Sequence, residues 1–443
     1  MRLTFAALLA ICLLGAAPPA PATQHWLVVS DIHLNPFDRD PQPEGPRYDT
    51  NWPLLRSALD AMRRAQPNPA VVIVTGDFLA HHWAAKARAA GEKSPADAAV
   101  RTMQQIAGAF GQRFPRAQFV VVLGNNDDPC GDYQTSPGAA YLARVARVWA
   151  PLVDRNGAAP QFVRDFSALG TYAASLPLPH LQALALDDVY WSILYRSCVP
   201  GGDASRAELS ALQHMLDARP PMRTLVVMHI PPGVDSVSTV ITHRLIVVPF
   251  LREPWNGALL KTLASARRRI VAVIAGHTHR NAFRTLGGTA MLIAPSISPV
   301  YENAPAFLEL DVTRSGTIAD FRQYAYDGDA DSWSQTLDFD RTYGVKSMDA
   351  HSMAIAQQRV ARSAAVRERW MRMQMAGANG GEITHGNWRL FWCAQSTQGR
   401  GYARCAGFER RALVLPALAG IAVAAALFAL TLLGLRLARH RRS

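Results

Sequence analysis

Seven side chains with metal-binding chemistry sit in five short clusters along this chain: Asp31 and His33, Asp77, Asn125, His229, then His277 and His279. Carboxylate oxygens, imidazole nitrogens and an amide oxygen together suit zinc, iron or manganese. No cysteine stands among them, which argues against a structural thiolate site. Asp31-Ile32-His33 and His277-Thr278-His279 each put two donors one residue apart, and three clusters open on glycine, at Gly76, Gly124 and Gly276. Glycine at such a point permits a tight turn.

Every cluster directly follows an apolar, β-branched run. HWLVVS ends at Ser30, AVVIVT at Thr75, FVVVL at Leu123, TLVVM at Met228 and VAVIA at Ala275. Continuous apolar runs of this length read as strands buried on both faces. Helix-like segments such as 52–65 and 97–110 fall between several of them, so the alternation predicts an α/β fold. Function in open α/β sheets gathers at the carboxyl ends of the strands. Five strands delivering metal donors to one edge is a concentration that core packing does not require. A strand-rich stretch follows at 290–294, 306–312 and 317–326, and residues 347–376, without glycine or proline, predict one long arginine-rich helix. The catalytic body is therefore placed at 24–330 and a C-terminal helical extension at 331–411.

The order DxH, GD, GNxD, H and GHxH resembles the motif set of the calcineurin-like metallophosphoesterases, over about 26–284. The longer segments SDIHLNPF, GDFLAHHW, GNNDDP, MHIPPG and GHTHRNAF are similar to the acid-sphingomyelinase-like phosphodiesterase branch. The resemblance implies a four-layer sandwich, in which two mixed β-sheets pack face to face with helices outside. It also implies two divalent metal ions, zinc at both positions. Asp31, His33 and His279 would hold the first, Asn125, His229 and His277 the second, and Asp77 would bridge them. The implied reaction is hydrolysis of a phosphoester such as a phospholipid headgroup, a nucleotide or polyphosphate. One position departs from the pattern. The family motif reads GNH, and that histidine protonates the leaving oxygen; here Asn126 replaces it. An amide can hydrogen-bond a phosphate oxygen but has no titratable proton to give. His81 then becomes the leading candidate for general acid, with His82 behind it. GNND also occurs in related endopolyphosphatases, which makes phosphoanhydride hydrolysis the alternative within the enzyme class. Outside that class, the alternative is a module that binds phosphate ligands without turnover.

With 443 residues, 49% of them hydrophobic, the chain can bury a sizeable core. Its net charge of +12 is carried almost entirely by arginine and is scattered, so no nucleic-acid partner is expected. Residues 1–22 have the form of a secretory signal: Arg2, an apolar stretch, then small residues before Thr23. Residues 412–435 carry no charge and exceed the ~20 residues a transmembrane helix needs. The basic tail 436–443 marks the cytoplasmic side. Together these predict a single-pass membrane protein, tethered by its C-terminal helix, with the catalytic domain outside the cytoplasm. Cys130, Cys198, Cys393 and Cys405 lack CxxC spacing, and an even number in an oxidising compartment favours two disulfides. Sequential pairing is the simplest, and the two other pairings stay open.

Overall fold

The computed structural model describes residues 23–153, 159–218, 220–242, 246–378 and 382–407. One six-stranded sheet contains β1 (Thr23–Val29), β2 (Val71–Val74), β3 (Gln118–Val121), β12 (Ala306–Thr313), β13 (Ile318–Asp327) and β14 (Ser332–Asp338), in the order β14-β13-β12-β1-β2-β3. The other contains β5 (Tyr172–Ser175), β6 (Leu181–Ala185), β8 (Arg223–Val227), β9 (Ile270–Ala275), β10 (Ala282–Leu286) and β11 (Thr289–Ile293), in the order β10-β11-β9-β8-β6-β5. A two-residue parallel pair, β4 (Gln134–Thr135) and β7 (Arg196–Ser197), stands apart from both. Each sheet is mixed. β1 pairs β2 in parallel and β12 antiparallel, while β8 pairs β6 and β9 in parallel and β5 pairs β6 antiparallel.

Side-chain alternation explains the layering. Leu225 and Val227 of β8 and Ala272 and Ile274 of β9 join the core shared with the first sheet. Their neighbours Val226, Met228, Val273 and Ala275 join a second core with Leu212, Leu259 and Leu263 from the helices Ser205–Asp217 and Trp255–Ala266. A strand with period two that is buried on both faces must be apolar throughout. That is why these runs show no polar alternation. Helices Trp52–Ala65, Pro95–Arg113 and Ala140–Val153 cover the first sheet, contributing Leu55, Met103 and Trp149 to its core. Their starts follow local rules: Asn51 and Ser94 accept from Leu54 and Asp97 amides at 3.1 Å, each with proline in the first turn. The two sheets flanked by helices match the expected sandwich.

Three expectations change. The single-pass membrane assignment does not stand, because among the described residues no helix is long and apolar enough to cross a membrane. The longest of these, Pro95–Arg113, is amphipathic: it buries Met103, Ile106 and Phe110 and leaves Arg101 and Gln104 exposed. The segments 1–22, 412–435 and 436–443 lie outside the described residues, so tethering and the extracytoplasmic placement built on it are dropped. The long helix over 347–376 is two helices, Ala350–Arg362 and Ala364–Gln374. Ser363 between them is extended and its hydroxyl accepts from Val366 N at 3.3 Å, so a capping side chain ends one helix and starts the next without glycine or proline. Finally, the first sheet continues past residue 330. The segment read as purely helical first supplies β14, the antiparallel edge partner of β13.

Both disulfides follow the sequential pairing. Cys130–Cys198 ties the loop after β3 to the loop around β7, and Cys393–Cys405 ties the helices Trp388–Ala394 and Gly399–Ala406.

Candidate metal centre

The carboxyl ends of β1, β2, β3, β8 and β9 meet at one place, and the seven candidate donors meet there. Six are buried and His277 is partly so. His33 Nε2 lies 3.1 Å from His279 Nε2, and His279 Nε2 lies 3.4 Å from Asp31 Oδ1. On the other side, His229 Nε2 lies 3.0 Å from Asn125 Oδ1 and 3.3 Å from His277 Nδ1. One oxygen stands between the two groups: Asp77 Oδ2 is 3.3 Å from His33 Nε2 and 3.4 Å from His229 Nε2. Bonds of about 2.0–2.2 Å to a shared cation would separate its ligands by roughly 3.0–3.5 Å. The donors are spaced accordingly. Asp31 Oδ1 is buried with no hydrogen-bond partner, and a buried carboxylate oxygen left so calls for a positive charge beside it. The residues present therefore fit a cation pair.

Backbone packing sets this geometry. Asp31, His33, Asp77, His277 and His279 all have positive φ, between 45° and 71°. Glycines let the loops touch. A Cβ on Gly76 would lie 2.6 Å from Gly124 N, and one on Gly276 would lie 2.7 Å from Thr75 Oγ1 and 3.0 Å from Asp31 Oδ2. Gly276 is not among the positive-φ residues, so close approach, not the expected turn, explains it. Asp127 ties two loops together, accepting from Phe78 N at 2.7 Å, Leu79 N at 3.1 Å and Gly124 N at 2.8 Å. His229 Nδ1 faces the Thr75 carbonyl at 2.7 Å and His33 Nδ1 faces that of Leu79 at 3.1 Å. Carbonyls there hold the proton on each Nδ1 and turn each Nε2 toward the centre. Burial opposes a charge on His229, but the Asp77 carboxylate raises its pKa to about 10.

Burial depresses His33 and His277 to about 3, aided by the neighbouring charges of His81 and His229 respectively. Burial likewise holds His279 well below its ordinary value. These three imidazoles are neutral and keep their lone pairs. Burial pushes Asp77 up, but the charge and hydrogen bond of His229 outweigh it and hold the carboxylate well below the usual range. Burial raises Asp31 to about 7.

Residues 25–281 match the calcineurin-like phosphoesterase family. The chain belongs to that family. It is 23% identical over 334 residues to Sphingomyelinase phosphodiesterase D of Dictyostelium discoideum, covering 69% of each protein. It is 24% identical over 379 residues to Acid sphingomyelinase-like phosphodiesterase 3b of Homo sapiens, covering 75% of this chain and 79% of the relative. These relatives place it in the acid-sphingomyelinase-like branch. Among solved structures, the calcineurin-like phosphoesterase YfkN of Bacillus subtilis is 12% identical with a TM-score of 0.34, covering 79% of this chain and 99% of that one. The protein is a metal-dependent phosphoric ester hydrolase of a dimetal family.

Beside the centre of this phosphoesterase, the His81 ring stacks on His33 at 3.9 Å and 15°. Its Nδ1 bonds Asp49 Oδ1 at 2.7 Å, and Lys86 bonds the other carboxylate oxygen. Burial opposes protonation of His81, but the Asp49 hydrogen bond and charge hold its pKa above the ordinary value. His82 is exposed and precedes the helix Trp83–Ala89. Asn126 gives its backbone N–H to Asp77 Oδ1 at 2.8 Å and its amide N–H to Oδ2 at 2.9 Å, so in this structure it orients the central carboxylate. Tyr301 sets its ring edge-on to His279 at 4.7 Å, and Phe250 does the same to His277 at 5.5 Å.

Sequence reasoning missed Asp49, Asp132 and Asp188. Asp188 accepts from His229 N at 3.0 Å and Ile230 N at 2.9 Å, which fixes the turn carrying His229. It was legible, because Asp187-Asp188 closely follows the apolar run of β6 just as the donors follow theirs. Asp132 accepts from Asn125 Nδ2 at 2.8 Å. Neither it nor Asp49 follows a strand, and no local pattern marks them.

Proposed function

We propose that this protein is a phosphodiesterase using two metal ions, zinc at both positions. Asp31, His33 and His279 would hold one, Asn125, His229 and His277 the other, and Asp77 would be shared between them. The placement of Asp77 Oδ2 between His33 and His229, at 3.3 and 3.4 Å, carries this reading. Two cations held so would supply Lewis acidity toward a phosphoryl group and would lower the pKa of water. The remaining steps belong to the chain. Asn126 orients the Asp77 carboxylate through its two hydrogen bonds. His81, protonated and oriented by Asp49, delivers a proton to the leaving oxygen. The rings of Tyr301 and Phe250 border the donors.

Asn126 favours a second reading within the same class. A phosphoanhydride leaving group departs with little protonation, so polyphosphate is a substrate that tolerates the missing imidazole. The test is direct. The purified protein is expected to contain about two zinc ions per chain and to cleave bis(4-nitrophenyl) phosphate in a chelator-sensitive way, and comparison with polyphosphate ranks the two readings. Metal-loaded protein inert toward diesters, monoesters and polyphosphate would refute both and favour a binding module.

A further inference from the structure

Next to His277 the centre opens into a cavity of about 350 Å³ between the sheet edge and the C-terminal helices. That volume lies in the range of small-ligand sites. Tyr133 and Phe250, both edge-on to His277, line it on the metal side. Arg280, Phe391 and Gln395 line it as well, the last two from beyond the family-matched residues. Gln395 is only 3% exposed, yet neither its amide nitrogen nor its amide oxygen has a hydrogen-bond partner. Arg280 pairs with Glu382 and lies over the Phe391 ring, and its Nε is also without a partner. Buried polar groups are almost always paired, so an unpaired donor and acceptor on one side chain, lining a cavity, are set for a ligand.

We propose that this cavity is a recognition subsite for the organic substituent of the phosphoester, and that Gln395 reads an amide-type edge there. The proposal rests on the phosphoesterase reading above. A primary amide donates from nitrogen and accepts at oxygen, so its complement carries an N–H beside a carbonyl or an equivalent acceptor. The phosphate itself has no such edge. A nucleobase has one; the trans amide of an N-acylated alcohol offers its N–H and its carbonyl on opposite sides and so meets one half of the Gln395 amide. Aromatic side chains around Gln395 add flat apolar surface for the rest of the substituent.

The experiment uses the full, metal-loaded chain and pairs of compounds that differ by one N-methyl group. One pair is thymidine 5′-(4-nitrophenyl phosphate) and its N3-methyl derivative. The other is the 4-nitrophenyl phosphodiester of N-acetylethanolamine and its N-methyl amide. Wild type is expected to favour the N–H compound of one pair by about tenfold or more in kcat/KM, because a site built to hydrogen-bond a group rejects the analogue lacking it. The pair that responds identifies the source of the edge. Gln395→Leu is expected to erase that preference while bis(4-nitrophenyl) phosphate hydrolysis stays within about twofold. Leucine replaces an unpaired buried amide, so folding should not suffer. If that variant nonetheless fails to fold, Gln395→Met, which keeps the length and loses both the amide donor and the amide acceptor, should lose the preference instead. Calorimetric Kd values for thymidine 5′-phosphate, N-acetylethanolamine phosphate and their N-methyl forms test the subsite without turnover. Absence of bis(4-nitrophenyl) phosphate hydrolysis counts against the phosphoesterase reading alone. Equal Kd values within both pairs, or a preference that survives Gln395→Leu, would overturn the subsite.

Discussion

Removing Asp132 tests whether the two metal positions are built independently. Asn125 presents its amide oxygen 3.0 Å from His229 Nε2 and gives its amide nitrogen to Asp132 Oδ1 at 2.8 Å. A carboxylate only accepts, so Asp132 decides which end of the Asn125 amide faces the centre. Asp132→Ala frees that rotation. A hydrogen bond to a charged group contributes about 1.5–3 kcal/mol. Asp132 sits at the surface, and exposure weakens such a bond, so about 1–1.5 kcal/mol is the reasonable loss. At ~1.4 kcal/mol per decade this is roughly tenfold in affinity, the low end for residues that orient metal ligands. Calorimetric titration of zinc into the metal-free protein should show the second metal weakened by that factor and the first unchanged. No reactive group is lost, so turnover at saturating zinc should recover most of its wild-type rate. Equal weakening at both positions, or none at either, would refute the assignment of Asn125 to one metal only.

Three further outcomes follow from the same geometry. His81→Ala should slow substrates with poor alkoxide leaving groups by roughly 10²–10⁴-fold and leave nitrophenyl esters little changed; equal losses on both, with weaker metal binding, would assign His81 to orienting His33. Gly124→Ala would place a methyl group 2.5 Å from Asp77 N and against its carboxylate, so bound metal and melting temperature should both fall; wild-type values for both would contradict the close-approach argument. Glu208, buried under the second sheet, has its carboxyl pushed well above the usual range by burial, partly offset by the Thr171 hydrogen bond and reinforced by Asp187 and Asp188. The folded chain thus holds a proton that the unfolded chain releases above its ordinary value of 4.5, so this contribution is complete at low pH and declines as pH rises past that value. Glu208→Gln cannot titrate and should show a shallower fall in melting temperature between pH 5 and 8; identical slopes would show that Glu208 is not the group responsible.

What the sequence exposed was what local chemistry controls. The five apolar runs became strand ends because burial on both faces leaves no polar residue in them, and the donors followed because catalytic groups sit where strands stop. Helix Trp52–Ala65 coincides with the predicted segment, and in the structure Asn51 and Pro53 account for its start. Long-range features were not. Asp49 reaches His81 across 32 residues and Asp127 reaches Phe78 across 49, and no spacing rule announces either. Nor did absence of glycine and proline guarantee a continuous helix, since Ser363 supplied the break from its own side chain. Gln395 was invisible for a related reason. Its significance is an unmet hydrogen-bonding capacity, which exists only once the C-terminal helices close over the sheet edge.

The backbone at the centre argues most directly that the donors, not the fold, determined these residues. Left-handed conformation is costly for a residue with a Cβ, by the order of 1 kcal/mol or more at each position. Asp31, His33, Asp77, His277 and His279 all adopt it within one cluster. Tertiary bonds hold them there: Asp31 N donates to Gly76 O at 3.0 Å, His33 N to Asp77 O at 2.8 Å, and His277 N to Asp31 Oδ2 at 3.0 Å. Among the described residues Arg47, His82, Tyr133, His180, Glu302, Asp331 and Ala376 are left-handed as well, but they are scattered along the chain and do not form such a set. A cluster of five disagreements at converging strand ends is therefore a functional signature. Asn125 and His229, the two candidate donors outside the left-handed region, reach the same point from conformations an ordinary loop supplies. Glycine would relax all five of the others, and at every one of them the chain keeps an aspartate or a histidine.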